Sequence, residues 1–142
     1  MIATDKWWRV VNVSADIAWD NAEKTIIKVT FDRQWEAGDM FRIIDEGTRM
    51  MLSVNHKVDS IFDFTNSSVS PSKLLSTVER MEETHSENER LMVIVKANSY
   101  IKSLARVAKL LAPKTFTNLY FVDLLPEAYI VIEQHHEHSF VR

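Results

Sequence analysis

Serine hydroxyl groups form the densest cluster of reactive side chains in this sequence. Ser67, Ser68, Ser70 and Ser72 lie in the segment VDSIFDFTNSSVSPSK, between a short apolar run and a helical pattern. A serine at the start of a helix can cap it, accept a phosphoryl group, or lie beside backbone amides that bind an anion. We treat all four as candidates for phosphorylation or for binding an anion or a partner. The alternative is that Ser70 caps the helix and its neighbours form a solvated loop.

Asn98 and Ser99 form a second polar pair, between the apolar run LMVIV and the next helical pattern. In an open parallel sheet, ligands bind beyond the carboxyl ends of the strands, where the amino termini of helices also point. That geometry predicts a rim made of residues 63–72, 96–100 and 123–127. Asn98 and Ser99 are therefore candidates for the same partner or anion site as the serine-rich loop.

Two acidic residues at predicted strand ends, Asp63 and Asp123, could in principle bind magnesium beside a lysine such as Lys96. The first two strands place no acidic pair with them. We therefore expect both aspartates to form turns or caps.

Three basic side chains, Lys102, Arg106 and Lys109, are spaced four and three residues apart, so they form one stripe along a helix. This stripe could meet an acidic partner or lipid head groups, with ordinary solvation as the alternative.

Trp7 and Trp8 are adjacent and cannot both face the same side of a strand. One of them is expected at an interface, such as a homodimer formed through the amino-terminal edge, unless the segment folds back over the core.

The histidines give no metal or catalytic site. His135, His136 and His138 lie close to the chain terminus without a fixed geometry, and we expect them to be incidental. His56 and His85 have no serine or aspartate at a telling spacing. We expect no enzyme activity, no metal and no cofactor.

Length, composition and net charge narrow the classes of protein to which this chain can belong. A chain of 142 residues that is 46% hydrophobic is expected to form one domain over residues 1–142, with loosely held ends at about 1–6 and 136–142. A net charge of −3 gives no general attraction for nucleic acid or an anionic membrane. Cysteine is absent, which excludes disulfides and thiolate chemistry, and the two glycines form no phosphate-cradling pattern. With no signal-peptide or membrane-span pattern, we expect a cytoplasmic protein.

The spacing of apolar residues predicts the order strand, strand, helix, strand, helix, strand, helix, strand, helix. The first two strands form a hairpin around DNAEK, and a helix follows over residues 36–54. Ser70 and Pro71 are expected to begin the second helix. The third helix begins after Asn98 and Ser99 and ends at Pro113. This order indicates an α/β fold with one mainly parallel sheet and an antiparallel amino-terminal hairpin.

These elements, with WDNAEKTI, VDSIFDF, LMVIVKANSYIKSLARVAKLLAPK and LYFVDLLPEAYIVIE, resemble a STAS-type domain over residues 15–133. STAS domains occur in sulfate transporter tails and in anti-sigma-factor antagonists. The chain is more narrowly similar to the SpoIIAA-like branch, whose fold also resembles the CRAL-TRIO lipid carriers. The resemblance implies a binding or regulatory module.

The family's phosphorylatable antagonists carry an Asp-Ser-(Ser or Thr)-Gly-like motif where the loop after the central strand enters its helix. Here that junction reads DFTNSSVSPSK, without an acidic residue directly before the serine and without the glycine. The serines occupy a comparable place, but none matches the motif residue by residue. We therefore expect a module that regulates an unknown protein partner by contact. The alternative is a carrier or sensor of a lipid or other apolar molecule, whose cavity would open between helices 36–54 and 100–112.

Overall fold

The computed structural model describes residues 14–68 and 74–141. Within them, five strands form one sheet in the order β1-β2-β3-β4-β5. The first pair is antiparallel and every later pair is parallel, which confirms the predicted α/β class and topology. The strands are β1 Ala15–Trp19, β2 Ile26–Phe31, β3 Val58–Asp63, β4 Glu89–Val95 and β5 Leu119–Val122.

The hairpin turn is held by Asn21, whose side chain substitutes for a backbone turn. Its Oδ1 accepts from the backbone N of Thr25 at 3.0 Å, and its Nδ2 donates to Thr25 Oγ1 at 2.7 Å. Lys24 adopts φ 60°, a left-handed conformation that closes the turn at a cost for a residue with a side chain. The polar DNAEK segment therefore forms the turn that its composition predicts.

Five helices accompany the strands in residues 14–68 and 74–141. The first, α1, starts at a capping box in which Glu36 and Asp39 satisfy each other's backbone amides. At Gly47 an added Cβ would lie 3.3 Å from Ile17 Cδ1, so glycine lets α1 approach β1 closely. The helices are α1 Ala37–Leu52, α2 Leu75–Glu83, α3 Ser99–Leu111, α4 Pro113–Phe116 and α5 Leu125–Val141.

Helix α2 is described from Leu75, and its predicted start at Ser70 and Pro71 lies outside the described residues. Leu74, directly before Leu75, is buried and gives no side-chain cap. Pro113 ends α3 as expected, but it also opens the short helix α4, where its fixed φ and missing N–H suit the first helical position.

The sheet is covered on both faces. One face packs against α1 to α4 around a core that includes Phe31, Phe62 and Ile94. The other face packs against α5 through an apolar cluster that joins Ile61 and Val93 of the sheet to residues of that helix. All six residues of β3 are buried, as a central strand between two layers requires. None of the helices in the described part of the chain is long and apolar enough to cross a membrane.

Candidate functional site

The strands β3, β4 and β5 end at one edge of the sheet, and the described residues there are 63–68, 96–100 and 123–127. We call this surface the carboxyl-end rim. Beneath it, three aromatic rings pack together. The ring centroid of Phe31 lies 4.4 Å from that of Phe64 and 4.5 Å from that of Trp35. Such aromatic pairs add to the stability of the rim beyond the area they bury.

The described serines of the rim hold its loops in place. Ser67 Oγ accepts from Trp35 Nε1 at 2.7 Å, and Trp35 is buried. The backbone N and Oγ of Ser68 both donate to Arg33 O, at 3.0 and 2.9 Å. These bonds tie the serine-rich loop to the segment that joins β2 to α1. Ser70 and Ser72 lie outside the described residues, and phosphorylation at any of the four serines stays a prediction.

Asn98 caps helix α3. Its Oδ1 accepts from the backbone N of Ile101 at 2.9 Å, and Ser99 is the first, exposed residue of the helix. Binding of an anion or a partner at this pair stays a prediction. The preceding Lys96 is exposed and has φ 59°, a conformation that favours glycine. The chain therefore turns sharply between β4 and α3 and presents Lys96 at the rim.

Turn formation accounts for the strand-end aspartate Asp63. Its Oδ1 accepts from the backbone N of Thr65 at 2.9 Å and from the Thr65 Oγ1 at 2.5 Å, which confirms the predicted turn role. At Asp123 the capping side chain is Glu127, whose Oε1 accepts from the backbone N–H groups of Asp123 and Leu124 at 3.1 and 2.9 Å. The side chains of Asp63 and Glu127 thus fix the backbone at two strand ends of the rim.

The basic stripe lies on α3, with Arg106 and Lys109 exposed and Lys102 half-buried. Across the described residues, no ion pair involves any of the three. Trp7 and Trp8 lie outside the described residues, so an interface or a homodimer through them stays a prediction.

A second polar cluster lies at the opposite edge, where β3 and β4 begin. Its centre is Asp59, which is 1% exposed. Asp59 accepts from Arg90 Nε and Nη2, both at 3.0 Å, and from the backbone N of Leu91 at 3.1 Å. His136 Nε2 lies 3.3 Å from its Oδ2. The bidentate arginine and the added amide are what a buried carboxylate needs to remain charged.

Near this edge, His85 lies beside the carboxylate of Glu89, which is partly buried. Its Nδ1 is 3.5 Å from Glu89 Oε1 and 3.4 Å from Thr115 Oγ1. Burial raises the pKa of Glu89 above its ordinary value of 4.5, and the Ser86 amide and His85 oppose this shift. Glu82 Oε1 is buried with no hydrogen-bond partner in the described part of the chain. We call Asp59, His85, Glu89, Arg90 and His136 the amino-end edge.

Sequence reasoning missed the amino-end edge because its partners are far apart in the chain. Asp59 is 31 residues from Arg90 and 77 from His136. One signal was present: Asp59 interrupts an otherwise apolar run at the start of the central strand. A charge in such a position needs a partner. Which residue is the partner of Asp59, however, depends on strand register, which pairs the start of β3 with the start of β4.

Two apolar cavities lie between the sheet and helices α1 to α4, each with a volume of about 50 Å³. They share Phe62, Met81 and Met92 as lining residues. The first reaches Glu89 and Thr115 near the amino-end edge, and the second extends under α3.

Comparison with known proteins gives a structural relationship only. A solved anti-sigma-factor antagonist (STAS) domain protein from Planctomyces limnophilus matches with a TM-score of 0.57 and 10% sequence identity. The match covers 85% of this chain and 99% of that chain. The chain has a STAS-like fold. No family model and no curated protein matches the sequence. The predicted resemblance is therefore confirmed for the fold.

In this STAS-like fold, the carboxyl-end rim includes the junction between the central strand β3 and helix α2. The two described serines of the serine-rich segment, Ser67 and Ser68, follow this strand directly.

Proposed function

We propose that this chain is a non-enzymatic module that regulates a partner protein by direct contact, and that the contact surface is the carboxyl-end rim together with the first turns of α2 and α3. One observation carries the proposal. Leu75 and Tyr100, two large hydrophobic side chains, are exposed at the starts of these neighbouring helices. Aromatic residues are enriched in protein interfaces, and exposed apolar groups with a polar rim mark such sites.

The rigidity of the rim supports the same role. Ser67, Ser68 and Asn98 are each engaged in a loop or cap hydrogen bond, so the surface is ordered before a partner arrives. An ordered surface loses less conformational entropy on binding than a mobile one. The similarity to a protein described as an anti-sigma-factor antagonist is in keeping with regulation by contact.

Affinity capture with substituted serines tests this proposal. Ser70→Glu and Ser72→Glu place a negative charge in the serine-rich loop and are expected to change recovery of a specific partner. Asn55→Glu is the control, because it places the same negative charge at an exposed position near the opposite edge of the sheet. Unchanged recovery with both loop variants, or an equal change with the control, would argue against this loop as the contact surface.

A second candidate function, a carrier of an apolar small molecule, is favoured by the two cavities. Their linings contain four methionines, and methionine adapts to irregular ligand shapes. Each cavity has about a third of the volume of an apolar cavity that holds benzene, ~150 Å³. A lipid would therefore have to separate α1 and α3 from the sheet.

Native mass spectrometry distinguishes this candidate from the first. A carrier is expected to retain an apolar molecule through purification, and Ala105→Met, which fills the second cavity, is expected to release it. A mass equal to the bare chain under all purification conditions would remove the carrier function and leave the protein-contact proposal unchanged.

A further inference from the structure

Positive charge is concentrated in one segment of the chain. Residues 91–122 contain five of the 17 basic side chains and none of the 20 acidic ones. The rest of the sequence is correspondingly acidic, since the net charge of the whole chain is −3. The segment spans β4, α3, α4 and β5, so most of its cations lie on or next to α3. The five residues are Lys96, Lys102, Arg106, Lys109 and Lys114.

The basic side chains of α3 lie away from its neighbour α2. Helix α3 buries Ile101, Ala105 and Ala108 against the core. Leu104 and residues of α2 line the same cavity, which means that the flank of α3 carrying Leu104 faces α2. At 100° per residue, Lys102, Arg106 and Lys109 fall on the opposite flank. Their charges therefore point away from the acidic residues of α2.

Apolar side chains are exposed next to these charges. Leu110 is 83% exposed and lies directly opposite the buried face of α3. Val107 and Leu111 are also exposed, on the arc between Leu110 and the flank that faces α2. We call this surface the α3 outer patch; it consists of Lys102, Arg106, Val107, Lys109, Leu110 and Leu111. A folded helix thus presents a leucine to solvent with cations on one side and further apolar groups on the other.

We propose that the α3 outer patch binds the surface of an anionic lipid bilayer. The cations would contact lipid phosphates, and Leu110, with Val107 and Leu111, would enter the boundary between head groups and acyl chains. A convex helix with protruding leucines meets a deformable bilayer without a preformed pocket, whereas a protein partner would need a complementary groove. Residues 91–122 contain no acidic side chain, so the cations of the patch have no acidic neighbour within the segment that carries them.

This proposal goes beyond the regulatory function and does not depend on it. Apart from Lys102, which lies in the first turn, the patch lies along the middle and end of α3, whereas the proposed protein-contact surface includes only the first turn of this helix. Binding at the patch would bring the module to a membrane surface and leave the rim open to a protein partner.

Vesicle co-sedimentation with the purified full chain tests the proposal. The wild-type chain is expected to sediment with vesicles of phosphatidylcholine and phosphatidylglycerol at low salt, to dissociate at high salt, and not to sediment with phosphatidylcholine alone. Arg106→Glu/Lys109→Glu is expected to weaken binding by about 30-fold or more, at roughly fivefold for each basic residue lost. Leu110→Ser is expected to weaken it several-fold, because less apolar surface is buried.

Matched controls separate the patch from general charge and hydrophobicity. Arg49→Glu/Lys57→Glu changes the net charge equally at exposed positions elsewhere, and Leu52→Ser removes a leucine that is 70% exposed on α1. Both controls are expected to bind as the wild type does. Equal loss with the controls, binding to neutral vesicles, or no vesicle binding would overturn the proposal; the last result is the one expected if the patch serves an acidic protein.

Discussion

The two edges of the sheet are built from different kinds of polar interaction. At the carboxyl-end rim, short polar side chains hold turns, caps and loops: Asp63 bonds to Thr65, Asn98 to Ile101, and Ser67 to Trp35, which lies 32 residues away. At the amino-end edge, charged side chains pair across long separations, as Asp59 does with Arg90. The rim leaves its outer side chains exposed, whereas the amino-end edge largely buries the Asp59–Arg90 pair. The difference is in keeping with the proposed binding role of the rim and with a structural role for the amino-end edge.

The largest expected effect tests the clamp. Arg90→Met leaves the Asp59 carboxylate buried without its bidentate partner, so the free energy of unfolding is expected to fall by about 3–5 kcal/mol. Urea denaturation measures this change. The double variant Asp59→Asn/Arg90→Met is expected to recover part of the loss, because it removes the uncompensated charge.

Arg80→Met is the matched control for this prediction. Arg80 pairs with Asp45 on the surface of α1 and α2, where both side chains are exposed. Its loss is expected to cost at most about 1 kcal/mol. Equal costs for Arg80→Met and Arg90→Met would show that the amino-end edge is not a buried clamp.

A smaller effect is expected at the rim from Ser67→Ala. The substitution leaves Trp35 Nε1 buried without this acceptor, which is expected to cost about 1–3 kcal/mol in the same measurement. Ser68→Ala removes an exposed hydroxyl and is expected to cost less. If Ser68→Ala destabilised the chain as much as Ser67→Ala, the bond to Trp35 would not be what holds the loop.

The cap of α3 is expected to contribute about 1 kcal/mol. Asn98→Ala removes the acceptor for the Ile101 amide, whereas Asn98→Ser retains one and is expected to restore most of the stability. Ser99→Ala, at the next position, is expected to change the free energy of unfolding by less than about 0.5 kcal/mol. A large effect at Ser99 and none at Asn98 would reverse this assignment.

The smallest effect concerns pH dependence. Because burial raises the pKa of Glu89 in the folded state, the folded chain binds more protons than the unfolded chain at pH values just above 4.5. Its contribution to stability therefore falls as pH rises through this window and levels off once Glu89 is ionised in both states. Glu89→Gln is expected to remove that fall, and the exposed control Glu87→Gln to retain it. Identical pH profiles for the wild type and Glu89→Gln would contradict the assigned shift.

The sequence predicted most of the fold because its signals are local. Alternating apolar residues around DNAEK, the run LMVIV and the Asn98–Ser99 step each specify an element within a few residues. The predicted start of α2 at Ser70 and Pro71 lies outside the described residues, and the helix is described from Leu75. The pairing of Asp59 with Arg90 was not predictable, since it requires the register between β3 and β4. The exposure of Leu110, by contrast, follows from helical spacing, which places it opposite the buried face of α3.

Site-specific photocrosslinking tests the central claim most directly. A photoreactive residue placed at Ser99 in the rim or at Ser53 near the opposite edge compares the two surfaces in otherwise identical protein, with both serines exposed. If the carboxyl-end rim is the contact surface, one specific partner protein is expected to crosslink from position 99 and not from position 53. Crosslinking of the same partner from position 53 alone, or equally from both positions, would contradict it.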